Sequence, residues 1–568
     1  MIRNSNSKKG KNIMNNTGNR SKGKIRRAAV SAVAGVMIMT TAASFNAYAC
    51  CNEHTDSNIG ISCNGFPIIH SFDDNNIEFR YSDGFFMTDP TKFDPHLATM
   101  SDIMANASAT YVENGDWSNG GKTITDLLEK CEFDFVEVSD TYLVKPTTDS
   151  IACAIGSKDI ETAGGLEKVV SITIRSANYD SEWSSNVTLG TEGEAKGFAD
   201  SADRVMRYLS SYLGEHPDIS DRLEEGKVNI WIQGYSRGGA VANLTAKRLI
   251  DKYQDKGNEV YAYCLEAPQG GIAEMERSDR DYSSIHNIID PNDLVPYLAP
   301  SAMGFKRYGV DYYVDGIAKD KVMEQLTQIV GRDNADSYAP SASKNKILSL
   351  SGIEDGDEIP NSIVIKNALD VFTSKISREE YVNSGLQDAL RNILHYMNDG
   401  GDLGVIFNNI NVGDILLNIF TSMIINYSPA GITVNTVEYI WDTVTGKDDK
   451  TDIITSPKDI LINSVIHYMQ STPQISGQLD PSLIKDISTA LRIVVKNIDM
   501  SIDNMTSGDS EIGRLMIFGL NLDNIFQNHQ MIQTMGYLRA NDSWYNMSPF
   551  FGSDDPTYIN MPKGLLGS

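Results

Sequence analysis

The 568-residue chain predicts a three-layer α/β architecture with a mostly parallel sheet, enlarged by a long helical insertion. Three observations carry that expectation. Strand-like runs alternate with helix-like stripes from about residue 150 to 314, the signature of strands joined by crossover helices. The stretch "VNIWIQGYSRGGAVANLTAKRLI" at 228–250 passes from β-formers to a helical pattern within one glycine-rich turn. After about Val314 the β signal almost vanishes for two hundred residues, and several helix starts take its place.

The first 49 residues stand apart from the rest. They hold nine Lys/Arg and no Asp or Glu, then an apolar run over 28–43, then Ala47-Tyr48-Ala49. A basic region, a short apolar region and an A-x-A site predict a secretory signal peptide rather than a lasting membrane span. Arg26-Arg27 resembles a twin-arginine signal only weakly, because the residues after it do not fit. Cys50 follows the cleavage site, which raises lipid anchoring; the bulky Tyr48 argues against it, and secretion without an anchor is the expectation.

Removing the nine leader cations takes the net charge from −26 to −35. So acidic a chain argues against a nucleic-acid partner, which needs a basic surface. The six cysteines, Cys50, Cys51, Cys63, Cys131, Cys153 and Cys264, show no C-x-x-C pair and no metal-ligand spacing. Cys153 and Cys264 sit in apolar strands and read as buried thiols. Pairing among Cys50, Cys51 and Cys63 stays open.

Along the chain, a helix is expected around 98–109, strands at "SIACAIG" (150–156) and "VVSITIR" (169–175), and a helix in "FADSADRVMRYLSSYL" with Val205, Leu209 and Tyr212 on one stripe. Further strands are expected from Val228, over 260–265 and over 285–289. In the insertion, Ser456-Pro457 and Asp480-Pro481 each pair an N-cap residue with proline at the first helical position. Leu386, Leu390, Leu394 and Met397 form one apolar stripe; Ile484, Ile487, Leu491, Val494 and Ile498 form another. The acidic stretches "IEDGDEI" and "DDKTD" do not match a calcium loop and read as solvated charge. The division expected is a leader at 1–49, a cysteine-bearing segment at 50–70, the core at 71–314, the insertion at 315–510, and a returning core segment at 511–568.

The glycine-rich turn carries the chemistry. A G-x-S-x-G match alone is weak, but a nucleophile elbow also needs a strand before it, a strained turn and a helix after it, and all three are predicted here. Gly234 and Gly238 leave space where a Cβ would clash. The turn would lift the Ser236 hydroxyl over the sheet edge, with the unpaired N–H groups of a helix N-terminus behind it. A phosphate-binding or merely tight turn is the alternative.

"GYSRGGAVA" resembles the G-H-S-L-G-G-A-L-A elbow of the class 3 lipases, α/β-hydrolases that cleave acyl esters. "VVSITIRSANYDSEW" resembles that family's strand and oxyanion loop, F-R-G-[ST] followed by a tryptophan, with Arg175 and Trp183 at the matching separation. "IHNIIDPNDLVPYLAPSAMGFKRYG" is similar to the segment in which a strand ends at an aspartate before I/L-V-P, a place that Asp293 takes. The resemblance covers about 169–309, with a weaker match after Gly513, and implies an α/β-hydrolase fold in a secreted bacterial member. Tyr235 and Arg237 replace the family's His and Leu, which should leave the turn intact. Ser176-Ala177 replaces Gly-Ser/Thr, so the hydroxyl that often supports the oxyanion is missing; the backbone N–H groups of Ala177 and Arg237 are the expected donors.

A serine needs a base and an orienting carboxylate, in the chain order Ser, Asp/Glu, His for this fold. Asp293, 57 residues after Ser236, fits the second role, with Asp290 as its competitor. His54, His70, His96 and His216 precede the serine, and His286 precedes Asp293. His395 shares a helical face with Asp388, Arg391 and Asn392 and is expected to face water. That leaves His529, after the insertion, with His467 as its competitor. The expectation is therefore a secreted serine hydrolase of lipase or esterase type, with Ser236, Asp293 and His529 as its triad and no metal or organic cofactor. Its partner would be an ester or lipid substrate met at a lipid interface, with the insertion as a cap or as a satellite that only packs. The alternative is a secreted binding or surface-interaction protein that keeps the fold without turnover.

Overall fold

The computed structural model describes residues 77, 79–109, 117–147, 149–162, 164–176, 182, 184–272, 281–349, 352–398, 458, 462, 466, 470, 481–499 and 509–545. The leader, the cysteine-bearing segment 50–70 and residues 399–457 lie outside this description, as do Ser456-Pro457 and the "DDKTD" stretch.

Among the described residues, seven strands form one sheet whose spatial order follows the chain: β1 (Asp134–Val138), β2 (Cys153–Thr162), β3 (Gly165–Ile174), β4 (Val228–Tyr235), β5 (Glu259–Leu265), β6 (Ile285–Ile289) and β7 (Val310–Tyr313). β1, β2 and β3 pair antiparallel, and β3 through β7 pair parallel. This is the expected mostly parallel sheet, with an α/β-hydrolase arrangement of flanking helices. Because β3 to β6 run the same way, the loops after them all emerge at one sheet edge, where an α/β sheet places its site.

Successive side chains of a strand point to opposite faces of the sheet, and both faces are covered, so β4 is buried at every position. In β4, Ile230 and Ile232 join the apolar cluster on the face covered by α2 (Lys196–Glu215) and α3 (Arg237–Tyr253). Trp231 and Tyr235 join the opposite cluster, against α1 (Pro95–Ala107), α4 (Lys319–Val330) and α9 (Met531–Asn541). The indole N–H of Trp231 donates to Ser101 Oγ at 2.9 Å, so its burial leaves no orphan donor. Val205, Leu209 and Tyr212 are all buried along α2, as their spacing predicts. Cys153 and Cys264 are buried and outside any disulfide, and so is Cys131.

Element bounds differ at the edges. The first helix starts at Pro95, capped by Asp94, whose Oδ1 accepts from the His96 and Leu97 N–H groups. β2 starts later than expected and runs on to Thr162, because it pairs along its whole length with β3.

The described part of the insertion contains α4 as well as α5 (Asn361–Lys375), α6 (Leu386–Asn398) and α7 (Pro481–Val495), and α8 (Glu511–Leu520) opens the returning segment. The insertion also contains a hairpin, β8 (Ser343–Ser349) and β9 (Gly352–Ile359), where almost no β signal is legible. β9 includes "IEDGDEI", whose Asp357 and Glu358 are exposed, so charge masked the strand without arguing against it. Leu386, Leu390, Ile487, Leu491, Val494 and Ile498 are buried in the same apolar cluster as α2 and α3. The described insertion helices therefore share the core's apolar interior and do not form a separate one. Among the described residues, no helix is long and apolar enough to cross a membrane.

Candidate active site

Ser236 stands between β4 and α3 at φ 56°, ψ −126°, a backbone conformation that costs a non-glycine residue on the order of 1–3 kcal/mol. Two features hold it there. Its N–H donates to the Leu265 carbonyl at the end of β5 (2.8 Å), and its carbonyl accepts the Ala240 N–H (3.0 Å). The glycines supply the space: a Cβ on Gly238 would lie 2.6 Å from the Ile174 carbonyl oxygen, and one on Gly234 would strike the Gly238 carbonyl. Both obstacles are backbone atoms, so neither can swing aside.

The strained turn aims the hydroxyl at a histidine. Ser236 Oγ lies 2.9 Å from His529 Nε2, and His529 Nδ1 lies 2.6 Å from Asp293 Oδ2. The other Asp293 oxygen accepts the Val295 N–H at 2.9 Å, which fixes the carboxylate on its turn. Asp293 is fully buried and Ser236 is 4% exposed. His529 occupies the turn before α9 and packs its ring 5.2 Å from that of Tyr235. Asp290, the competing carboxylate, instead accepts from the Asn292 backbone N–H and side-chain amide, closing the local turn.

The other histidines are committed elsewhere or lie outside the described residues, as His54, His70 and His467 do. His395 is exposed on α6. His96 meets Asp542, and His216 meets Glu137. His286 is buried in β6, donating from Nε2 to the Pro90 carbonyl (2.9 Å) and accepting the Tyr312 hydroxyl at Nδ1 (3.2 Å). Burial pushes its pKa down to about 4, partly opposed by the Pro90 contact. A depressed histidine contributes stability that is present above its unfolded pKa near 6.5 and is lost as pH falls toward 4. The loss expected over that window is about 3 kcal/mol. Urea unfolding at both pH values checks it: His286→Phe should lose that much less than the wild type on acidification, and equal losses would contradict it.

Of the expected oxyanion donors, Arg237 is described and Ala177 is not, nor is Trp183. Arg237 is the first residue of α3, where a backbone N–H has no intrahelical acceptor. Its side chain holds a place the sequence does not announce: it is fully buried, donating from Nε to Ser185 Oγ (3.1 Å) and from Nη2 to Ser201 Oγ (3.0 Å). Arg175, just after β3, is buried with Glu182, Nη2 to Oε1 2.9 Å, and Ser150 donates to the same oxygen. This buried pair spans the residues on either side of the expected oxyanion loop.

Two asparagines beside the triad tie it to the insertion. Asn528 Nδ2 donates to the carbonyls of Asn292 (3.2 Å) and Ser341 (3.1 Å), and Asn292 Oδ1 accepts the Ser362 N–H (3.3 Å). On the oxyanion side, Gln387 accepts from the Leu189 N–H, and Arg378 and Tyr381 donate to carbonyls between Val187 and Gly193. The insertion thus touches the loops that carry Asp293 and His529 as well as the 187–193 loop.

A strand, a strained serine and a helix at one sheet edge, with a buried aspartate and a histidine in line, make the arrangement of an α/β-hydrolase nucleophile. Residues 165–303 match the family model of the class 3 lipases. This stretch is similar to a class 3 lipase domain. The matched span holds Ser236 and Asp293, and His529 reaches both from beyond the insertion. A lipase of Rhizomucor miehei is 25% identical over 208 residues, which are 34% of this chain and 54% of that lipase. The chain thus spans about half the length of this curated relative. Among solved structures, lipase II from Rhizopus niveus is similar at 14% identity, covering 38% of this chain and 78% of that one, with a TM-score of 0.26. A triacylglycerol lipase from Penicillium expansum is similar at 13% identity, covering 38% and 80%, with a TM-score of 0.23.

Proposed function

We propose that this protein hydrolyses carboxylic esters of lipid type by a serine mechanism with an acyl-enzyme intermediate. The observation that carries the reading is the relay from Ser236 Oγ through His529 to Asp293, with both contacts at hydrogen-bond distance and the serine and aspartate inside the stretch similar to a class 3 lipase domain. His529 Nε2 takes the hydroxyl proton as Oγ attacks the carbonyl carbon, and Asp293 orients the ring and stabilises the imidazolium. The tetrahedral oxyanion is held by the Arg237 N–H, with the Ala177 N–H as the second donor. Collapse expels the alcohol, which receives the proton from His529. Water, activated by the same histidine, then releases the acid and restores the serine.

The test is hydrolysis of p-nitrophenyl esters across acyl lengths, in solution and as an emulsion. A lipase-type preference appears as higher rates on the longer, emulsified chains; no turnover of any ester would sink the proposal. In that event the alternative gains, a binding protein in which the missing oxyanion hydroxyl at Ser176-Ala177 has ended turnover.

Secretion belongs to the same proposal and rests on the leader's basic and apolar pattern. Exported protein should begin at Cys50 on N-terminal sequencing; a mature form that retains the apolar run at 28–43 would contradict it.

A further inference from the structure

We propose that Glu266 is a positioning residue of the catalytic triad, a buried strut that ties the strand end anchoring the nucleophile to the loop carrying Asp293 and to the helix after His529. The proposal rests on the serine-hydrolase reading above.

Three observations converge on this side chain. Glu266 follows β5 at φ 44°, in the left-handed region that favours glycine, yet it carries a long ionisable side chain that is fully buried. A strained backbone and a buried carboxyl at one position are two costs, and they persist only where the surroundings over-determine them. The neighbour before it, Leu265, is the residue whose carbonyl accepts the Ser236 N–H. The carboxyl then reaches across to the acid loop, where both oxygens accept the Asp290 N–H, at 3.0 and 2.9 Å. From the third side, Thr534 Oγ1 on α9, five residues beyond His529, lies 3.4 Å from Oε1. The Glu266 N–H itself donates to the Ile288 carbonyl of β6 (2.8 Å). One residue therefore meets the strand end behind the nucleophile, the turn of the acid and the helix of the base.

The geometry explains what the strut does. The Asp290–Asp293 turn closes through its own backbone bond, Asp293 N–H to the Asp290 carbonyl at 3.0 Å, so fixing Asp290 fixes the carboxylate that aims His529. The groups facing Glu266 are Asp290 and Asp293 from the acid loop and Thr534 and Tyr537 from α9. Burial first, then the Asp293 and Asp290 carboxylates, push Glu266 well above the usual carboxyl range. Burial pushes Asp290 up as well, against its Asn292 bonds. A carboxyl kept uncharged there braces the loop without adding a second negative charge beside the histidine.

Three variants and two readouts test it: hydrolysis of p-nitrophenyl butyrate against pH, and the rate of labelling by a fluorophosphonate. Glu266→Gly relieves the backbone and removes the strut; kcat should fall about 10- to 100-fold with KM within about twofold, and labelling should slow in parallel. Glu266→Asp keeps the carboxyl but draws it back by one methylene, and should lose rate similarly. Glu266→Gln keeps an acceptor for the Asp290 N–H without a titrating proton, and should restore kcat to within about threefold with the acid limb of the pH profile in place. Wild-type kcat in folded Gly or Asp variants would overturn the proposal, as would loss of folding in both, which would make the role one in the fold alone. A Gln variant as slow as Gly with a displaced acid limb would overturn it too, because charge and not bracing would then be what matters. Absence of labelling in the wild type would count against the serine reading; labelling that occurs but is unchanged in Glu266→Gly would count against Glu266 alone.

Discussion

Ser236→Ala is expected to lower ester hydrolysis by at least about a thousandfold while leaving the fold in place. The size follows from what the atom does: without Oγ no acyl-enzyme forms, and only the oxyanion donors and substrate binding remain to assist water. The fold survives because the substitution leaves the backbone contacts untouched. The Ser236 N–H still meets the Leu265 carbonyl, the glycines still clear Ile174 and Gly238, and the side chain gives up a single bond to His529. Kinetics on a soluble ester, alongside thermal unfolding, check both halves. Near-wild-type turnover with a normal melting curve would remove Ser236 from the mechanism.

His529→Ala should be as damaging, and should also abolish phosphonate labelling, since both reactions need the hydroxyl proton taken at Nε2. Groups that act as one unit are not additive, so the Ser236→Ala, His529→Ala double variant should be no slower than either single one. The histidine variant differs in stability. It leaves the buried Asp293 Oδ2 without its 2.6 Å partner, and an unsatisfied buried acceptor costs about 1–3 kcal/mol. A lower unfolding midpoint in His529→Ala than in Ser236→Ala is therefore expected. His467→Ala is the control and should leave turnover and labelling within a few fold; the reverse pattern would transfer the base to His467.

How much of this was legible beforehand depends on the range of the physics involved. Strands rich in β-branched residues, the helix stripe at Val205, Leu209 and Tyr212, and the elbow at 234–239 are written in local composition and spacing, and the structure has them. Asp293 and His529 were reachable because chain order in this fold narrows eight histidines to three, and the polar helical face of His395 leaves His467 and His529. Glu266 was not reachable: it looks like any surface acid, and its meaning lies in a positive φ and in contacts to Asp290 and Thr534 that only the tertiary fold brings together. The same holds for Arg237, read as a backbone donor but carrying a guanidinium buried against Ser185 and Ser201. Glu182 drew no attention for the same reason, though it partners the buried Arg175. The β8–β9 hairpin escaped because "IEDGDEI" is too acidic to look like a strand. Asn292 and Asn528, which meet Ser362 and Ser341 of the insertion, turn a segment that could also have been a satellite into one that touches the loops carrying Asp293 and His529.

The most direct test of the account is peptide mapping after treatment of the mature protein with a fluorophosphonate. The account predicts one adduct, on the peptide that contains Ser236, absent from His529→Ala and from heat-unfolded protein. Folded wild-type protein that takes up no label, or takes it on another serine, would contradict it.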